Sequence, residues 1–298
     1  MTCSAIINLM LYHNSEQMDK VGHTRCNSFT FYWGSKTYVM GIINLSLDSF
    51  SGDGIDSTEQ AVLQAKRMIS EGADILDIGG ESTRPNSSPI TVDQELQRVI
   101  PVLKRLSSEV STPISIDTYK YEVAKQAVEA GASMINDIWG LKYDPRLAKL
   151  AAERAIPIIL MSNQRDVSPE HKIIFPDIIA TILENLRQSI KTALDSGIPR
   201  ENIVIDPGLG FGKTTKQNLE ILGRLDEMKL LGQPILLASS RKSFLSAVLN
   251  QPPEECVEGT LATTAIGIIS GVDMVRVHDV KETVQVCKIT DAITRGTQ

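Results

Sequence analysis

The feature that most constrains this chain is a repeat. Short β-branched runs recur along it, each followed by a helical pattern. The runs are "YVMGIIN" (38–44), "ADILDIGG" (73–80), "PISID" (113–117), "ASMIND" (132–137), "PIILM" (157–161), "NIVID" (202–206), "PILLAS" (234–239) and "VDMVRVH" (272–278). Each is nearly continuous in Val, Ile, Leu or Met, as a strand buried on both faces should be. The intervening stretches are amphipathic: "TEQAVLQAKRMISEGA" sets Ala61, Ala65, Met68 and Ile69 on one face. "KYEVAKQAVEAGA" and "FPDIIATILENLRQSIKTALDSGI" close near Gly131 and Gly197, which suit the C′ position of a helix. Strand–helix units of about 25–40 residues predict an α/β fold, a (β/α)₈ TIM barrel. The preceding "FTFYWGSKTYVM" predicts a hairpin turning at Gly34-Ser35 that plugs the bottom of the barrel. Residues 1–28 are read as an N-terminal extension and residues 29–298 as one barrel domain, with no linker or low-complexity segment.

Composition excludes several function classes. The 298 residues are 42% apolar and 22% charged, ordinary for a globular chain that buries most of its apolar surface. A net charge of -6 argues against a general nucleic-acid binder but leaves room for a local cationic pocket. Cys3, Cys26, Cys256 and Cys287 show no metal-ligand spacing, so free thiols in a reducing compartment are expected and a zinc site is not. No apolar run reaches the ~20 residues of a membrane span. The start carries Glu16 and Asp19 and no basic segment, a poor fit to a targeting peptide. The expectation is a cytoplasmic protein with no membrane partner. "IVIDPGLGFGKTTKQN" (203–218) looks like a phosphate-binding loop, but Pro207 stands where the Walker A pattern needs its first Gly.

In a barrel of this kind, chemistry sits where strands end. The strand-end residues are Asn44, Glu81, Asp117, Asn136-Asp137, Ser162-Asn163, Asp206, Ser239 to Lys242, and Arg276 with His278. Each has an ordinary reading alone: Asp117 or Asp206 as a helix N-cap, Asn136 as a loop hydrogen-bonder, Lys242 as a solvated head, His278 as a structural histidine. Their convergence on one rim favours function. Asp117, Asn136, Asp206 and Lys242 together suit a flat heterocycle with donor and acceptor edges. Arg276 and His278 suit a phosphate-type anion, and Asn44 offers a neutral oxygen for a hydrated Mg²⁺ bridging phosphates. The Gly-, Ser- and Pro-rich loops "NLSLDSFSGDGI" and "GGESTRPNSSPI" read as lids that bring Phe50 and Arg84 to the mouth.

"MGIINLSLDSFSGDG", "GADILDIGGESTRPN", "SIDTYK", "NDIWG", "IDPGLGFGK", "SSRKSFL" and "VRVHDV", in this order, resemble the dihydropteroate synthases over residues 38 to about 294. The resemblance implies a (β/α)₈ homodimer of folate biosynthesis, a target of sulfonamides. Such an enzyme joins 4-aminobenzoate to 6-hydroxymethyl-7,8-dihydropterin diphosphate, with Mg²⁺. By motif match, Asp117, Asn136, Asp206 and Lys242 would grip the pterin. Asn44, Thr83, Arg84, Arg276 and His278 would hold the diphosphate, with Asn44 on the metal. Phe50, Thr83, Pro85, Phe211, Ser240 and Lys242 would form the aminobenzoate subsite, with Ser240 starting the helix after the seventh barrel strand. The chain departs from the family pattern at Ser46-Leu47, at Ser162-Asn163 and at Ala238. Two rivals share the fold. A methyltetrahydrofolate-dependent methyltransferase would lack the Ser-Thr-Arg-Pro, Ser-Arg-Lys and Arg-x-His motifs. A non-catalytic paralogue or partner subunit would be expected to have lost some of Asp117, Asp206, Lys242 or Arg276.

Overall fold

The structure is a computed structural model that describes residues 20–45, 57–82, 87–165 and 175–296. It opens with an antiparallel hairpin of β1 (His23–Cys26) and β2 (Phe29–Tyr32). The expected turn at Gly34-Ser35 is not the hairpin's turn. That turn lies at Asn27-Ser28, with Asn27 at φ +56°, and the hairpin therefore begins inside residues 1–28. Asn tolerates the left-handed region that a two-residue hairpin loop demands. Gly34-Ser35 makes a second turn, with Ser35 N–H donating to Tyr32 O at 3.2 Å, and feeds the chain into the barrel. Gly is the louder turn signal in sequence, which is why it masked the Asn turn seven residues earlier.

The barrel strands are β3 (Tyr38–Asn44), β4 (Ile75–Gly79), β5 (Ile114–Asp117), β6 (Met134–Asp137), β7 (Ile158–Met161), β8 (Ile203–Asp206), β9 (Leu236–Leu237) and β10 (Met274–Val277). They pair in parallel as β8-β7-β6-β5-β4-β3-β10-β9. A parallel bridge between Ile205 and Ile235 joins β8 to the entry of β9 and closes the ring. All the strand runs expected from sequence are strands. Most are shorter than the apolar runs, because ladder pairing stops where the backbone turns into the loops while the apolar pattern runs on.

Helices wrap the outside, among them α1 (Thr58–Ser70), α2 (Val92–Glu109), α3 (Tyr121–Glu129), α4 (Arg146–Arg154), α5 (Ile178–Asp195), α6 (Thr215–Gly223), α7 (Ser243–Leu249), α8 (Val257–Ile269) and α9 (Val280–Arg295). Their starts are chemically marked. Ser57 accepts from Gln60 N–H, Thr91 and Gln94 form a reciprocal capping box, as do Thr214 and Gln217, and Asp177 accepts from Ile179 and Ala180.

Two apolar layers result. One lies between strands and helices. The other fills the barrel interior with Met40, Ile75, Met134, Ile159, Val204 and Met274. The hairpin and the turn that follows it plug this interior from below with Phe31 and Trp33, packed against Tyr38 at the start of β3. Phe31 and Trp33 stack at 5.3 Å with rings 3° from parallel, and Tyr38 meets both edge-on. Trp33 Nε1 donates to Thr24 Oγ1 at 2.8 Å, so the plug leaves no indole N–H unpaired. Phe31→Ala should therefore lower the stability of the barrel by about 3–5 kcal/mol, read as a lower midpoint in denaturant or thermal unfolding; an unchanged midpoint would mean the hairpin does not brace the barrel.

Candidate active site

Inside a closed barrel, alternate residues of every strand point inward. Register fixes which of them share a level. Asn44 lies beside Gly79, Gly79 beside Asp117, and Asp117 beside Asn136. The polar strand ends thus sit directly above the apolar filling, with Asp206 ending β8 and Arg276 rising from β10.

An ion network joins them. Arg276 Nη2 donates to Asp117 Oδ2 at 2.6 Å, and its Nε donates to Asp77 Oδ2 at 2.5 Å. Asn136 Nδ2 donates to the same Asp77 oxygen at 3.0 Å. Asp206, 4% exposed, accepts from Gly208 N–H at 2.7 Å. Lys242 lays its stem along Gly210, donates to Leu209 O at 2.9 Å, and holds Nζ 4.3 Å from the centre of the Phe211 ring. Arg165 lies 4.4 Å from the same ring. Phe211 is thus an aromatic plate held among cations. It packs with Tyr119, Ile138 and Met161, an apolar wall around the charged groups.

The segment after β8 is built for close approach. Gly208 takes φ +72°, and a Cβ there would lie 2.3 Å from Ser162 O. Lys213 is swallowed beneath it and donates to Ser162 O, Gly208 O and Phe211 O at 2.9, 2.7 and 3.2 Å. These carbonyls explain the lysine of that segment: it braces the loop, and burial drives its ammonium pKa well down despite Asp206 nearby.

On the opposite side Ser240 and His278 meet, with Oγ and Nδ1 2.9 Å apart and His278 N–H donating to Ser240 Oγ at 3.2 Å. Ser240 does not start a helix. It lies in a turn, and α7 begins at Ser243 with Lys242 in the N-cap position. The expected helix N-terminus at Ser240 is displaced because Arg241 adopts φ +54°, which no helix accommodates, while its guanidinium pairs with Asp279 at 2.7 Å.

A second buried cluster stands behind the loop after β4. Lys120 Nζ donates to Glu81 at 2.7 Å, to Glu95 at 2.6 Å and to Ile90 O at 2.9 Å, and Tyr119 donates to Glu81 at 2.7 Å. Glu81 also accepts from Ile90 N–H at 3.0 Å, so both backbone groups of Ile90 are tied to charges.

Of the residues expected at the site, Asp117, Asn136, Asp206, Phe211, Ser240, Lys242, Arg276 and His278 come together around this mouth, and Asn44 stands half-buried at the end of β3. Phe50, Thr83, Arg84 and Pro85 lie outside the described residues, as do Ser46 and Leu47. Sequence reasoning missed Asp77, Arg165, Tyr119 and Lys120. Asp77 had a signal: it is a charge in the middle of an apolar run, two residues before Gly79 and so on the inward parity. Arg165 and Tyr119 had none, since loop paths decide where they point.

The electrostatics follow from burial. Desolvation pushes the Asp117 carboxyl up to about 7, against the pull of Arg276 and with help from Asp77. Desolvation also raises Asp206, against its bond from Gly208 and the charge of Lys242. Lys242 is pushed down to about 8 by burial, with Asp206 opposing.

The pterin binding enzyme family profile matches residues 40–278. The chain is 47% identical over 285 residues to the dihydropteroate synthase of Bacillus subtilis (strain 168), spanning 95% of this chain and 97% of that protein. A crystal structure of the Clostridium difficile dihydropteroate synthase, in the presence of pteroic acid, is similar with a TM-score of 0.82 at 47% identity, covering 88% of this chain and 98% of that one. The Xanthomonas albilineans dihydropteroate synthase with 4-aminobenzoic acid gives a TM-score of 0.84 at 37% identity, covering 92% and 98%. Barrel and mouth define a class, and the chain belongs to it: it is a pterin binding enzyme. Within that family it falls among the dihydropteroate synthases, which are transferases.

Two outcomes follow from this geometry. Because Asp117 is raised above its ordinary 3.8, the folded protein holds that proton more tightly than the unfolded chain, and the group's contribution to stability falls as pH rises from 3.8 to about 7. Asp117→Asn should abolish this slope in a pH series of unfolding midpoints, whatever its constant offset. Gly208→Ala should perturb the loop and cost ligand binding, since the new methyl group meets backbone; unaltered binding would refute the close approach.

Proposed function

We propose that the mouth binds 6-hydroxymethyl-7,8-dihydropterin diphosphate and 4-aminobenzoate and joins them into 7,8-dihydropteroate with release of diphosphate. The observation that carries this reading is the meeting of Asp117, Asn136, Asp206, Lys242 and Arg276 in one buried mouth. The carboxylates and the Asn136 side-chain oxygen accept from the amino and ring N–H groups of the pterin, while Lys242 and Arg276 supply donors and neutralise charge. Phe211 and the stem of Lys242 flank the aminobenzoate ring, joined by Phe50 and Pro85 from the loops. Ser240 reaches its carboxylate through its turn.

His278 and Arg276, with Thr83 and Arg84, hold the diphosphate. Asn44 presents an amide at the end of β3, and among the described residues no cluster of three or more His, Cys, Asp or Glu stands ready to cage a metal. That donor set fits Mg²⁺, which keeps waters and phosphate oxygens as most of its ligands. When bound, Mg²⁺ supplies charge neutralisation on the diphosphate. The reaction is dissociative. The bond from the exocyclic carbon to the diphosphate oxygen breaks with its electron pair going to oxygen, as Arg276 and His278 stabilise the leaving charge. Asp117 and Asp206 add negative potential beneath the cationic pterin. The aminobenzoate nitrogen then donates its lone pair to that carbon and releases a proton to solvent or diphosphate; no strong base is needed for so weakly basic an amine.

The protein is read as a homodimer. Ile266 and Ile269 on α8 and Ile289 and Ile293 on α9 expose 47%, 66%, 66% and 77% of their surface on neighbouring helices. Such a patch is covered by a second copy. Ile269→Asp with Ile293→Asp should shift the sedimentation mass from dimer to monomer; a monomeric parent protein would refute the assignment. Among the described residues no helix is long and apolar enough to cross a membrane, and the reading places the enzyme in the cytoplasm, free of nucleic acid.

The decisive assay quantifies dihydropteroate from the two substrates and Mg²⁺. The parent protein should form product, chelation of Mg²⁺ should stop it, and Asp206→Ala should lower kcat/KM by about a hundredfold or more. Absence of product from the parent protein would overturn the reading.

A further inference from the structure

Asp77 takes no part in the roles above, yet it stands at the centre of the polar layer. It is fully buried on β4, two residues before Gly79. Its Oδ2 receives both Arg276 Nε at 2.5 Å and Asn136 Nδ2 at 3.0 Å. Among the described residues its Oδ1 has no hydrogen-bond partner, nor has Oγ of its register neighbour Ser115. Below lie Met40, Ile75, Met134 and Met274. A carboxylate on an apolar floor is costly and stability alone would not favour it. Its effect is on orientation. The two ends of an amide carry opposite charge, and one facing a carboxylate must turn its N–H₂ to it. The same carboxylate takes Nε of Arg276, while Nη2 of that guanidinium reaches up to Asp117 in the mouth.

We propose that Asp77 is a positioning residue that sets specificity: it fixes Asn136 with Nδ2 downward and Oδ1 toward the ligand, so that the site selects a heterocycle with an N–H donor at that edge. The inference rests on the pterin reading. A polar site of this kind rejects an analogue with the wrong edge, because a buried acceptor is then left facing another acceptor. Neutralising Asp77 removes the constraint, since an amide at that position can donate to Asn136 as readily as accept from it. It also removes a charge that raises the Asp117 carboxyl.

The test compares binding of 6-hydroxymethylpterin with that of the lumazine in which a carbonyl replaces the 2-amino group. Dissociation constants are measured for the parent protein, Asp77→Asn and Asp77→Ser, with unfolding midpoints alongside. The parent protein should prefer the pterin by about a hundredfold or more. In Asp77→Asn that preference should shrink by about tenfold, chiefly through weaker pterin binding, equivalent to about 1.4 kcal/mol. The acid limb of pterin binding should move to lower pH, and KM for 4-aminobenzoate should stay unchanged. If Asp77→Asn does not fold, Asp77→Ser carries the same comparison. A folded variant with the parent's preference overturns the proposal, and so does equal weakening of both ligands, which would make Asp77 a general electrostatic or structural residue. A parent protein that binds both heterocycles equally overturns it too. A parent protein that binds neither instead overturns the pterin reading on which it rests.

Discussion

The structure depends on the two-residue period of strands inside a closed ring. Each short strand offers the interior only two or three side chains. Most of the lower ones are apolar and pack on Phe31 and Trp33, which seal the bottom. The next ones up are Asp77, Asp117, Asn136, Asp206 and Arg276, so core and chemistry are successive positions of the same strands. The site therefore inherits the rigidity of the core. A change of register by one residue would swap buried carboxylates for Ile78, Ile116 and Ile205 and destroy both at once.

This arrangement brings charges into a poorly solvated place. Asp77, Asp117 and Asp206 face Arg276 and Lys242, and attraction between them offsets part of the desolvation. The remainder appears in the Asp117 and Asp206 carboxyls, which are raised, and in the Lys242 ammonium, which is lowered. A ligand that brings N–H donors to the acids and anionic oxygens to the cations completes pairings the protein leaves partial. On the proposed reading, binding energy is concentrated where charge changes during reaction, the useful place for it.

Much of this was legible in the sequence. Buried parallel strands announce themselves as continuous apolar runs, and a polar residue closing each run marks the mouth, so Asp117, Asn136, Asp206 and Arg276 could be placed by position alone. Three kinds of residue could not. Asp77 sits inside a run rather than at its end, and reading it required the parity of β4 against β5. Arg165, Tyr119 and Lys120 depend on loop paths that no periodicity encodes. The hairpin turn was misplaced because Asn can do at Asn27 what glycine advertises at Gly34. The Lys213 brace was missed for a related reason: its partners are backbone carbonyls, which every sequence possesses.

The departures from the family pattern illustrate the same division between side chain and backbone. At Ser162-Asn163, what Ser162 gives the site is its backbone. Its N–H donates to Asp206 O at 2.9 Å and its carbonyl receives Lys213. Asn163 turns its Oδ1 to the N–H of Arg165, which steers that guanidinium toward Phe211. Ala238 is buried with the interior apolar set rather than among the charged groups. A substitution in these places changes packing and the set of an aromatic plate, while the acceptors that would read a heterocycle stay where β5, β6 and β8 hold them. What the backbone holds is set by the path of the chain, whereas at Asp117, Asn136 and Asp206 a side chain's charge, direction and level in the barrel are all fixed together.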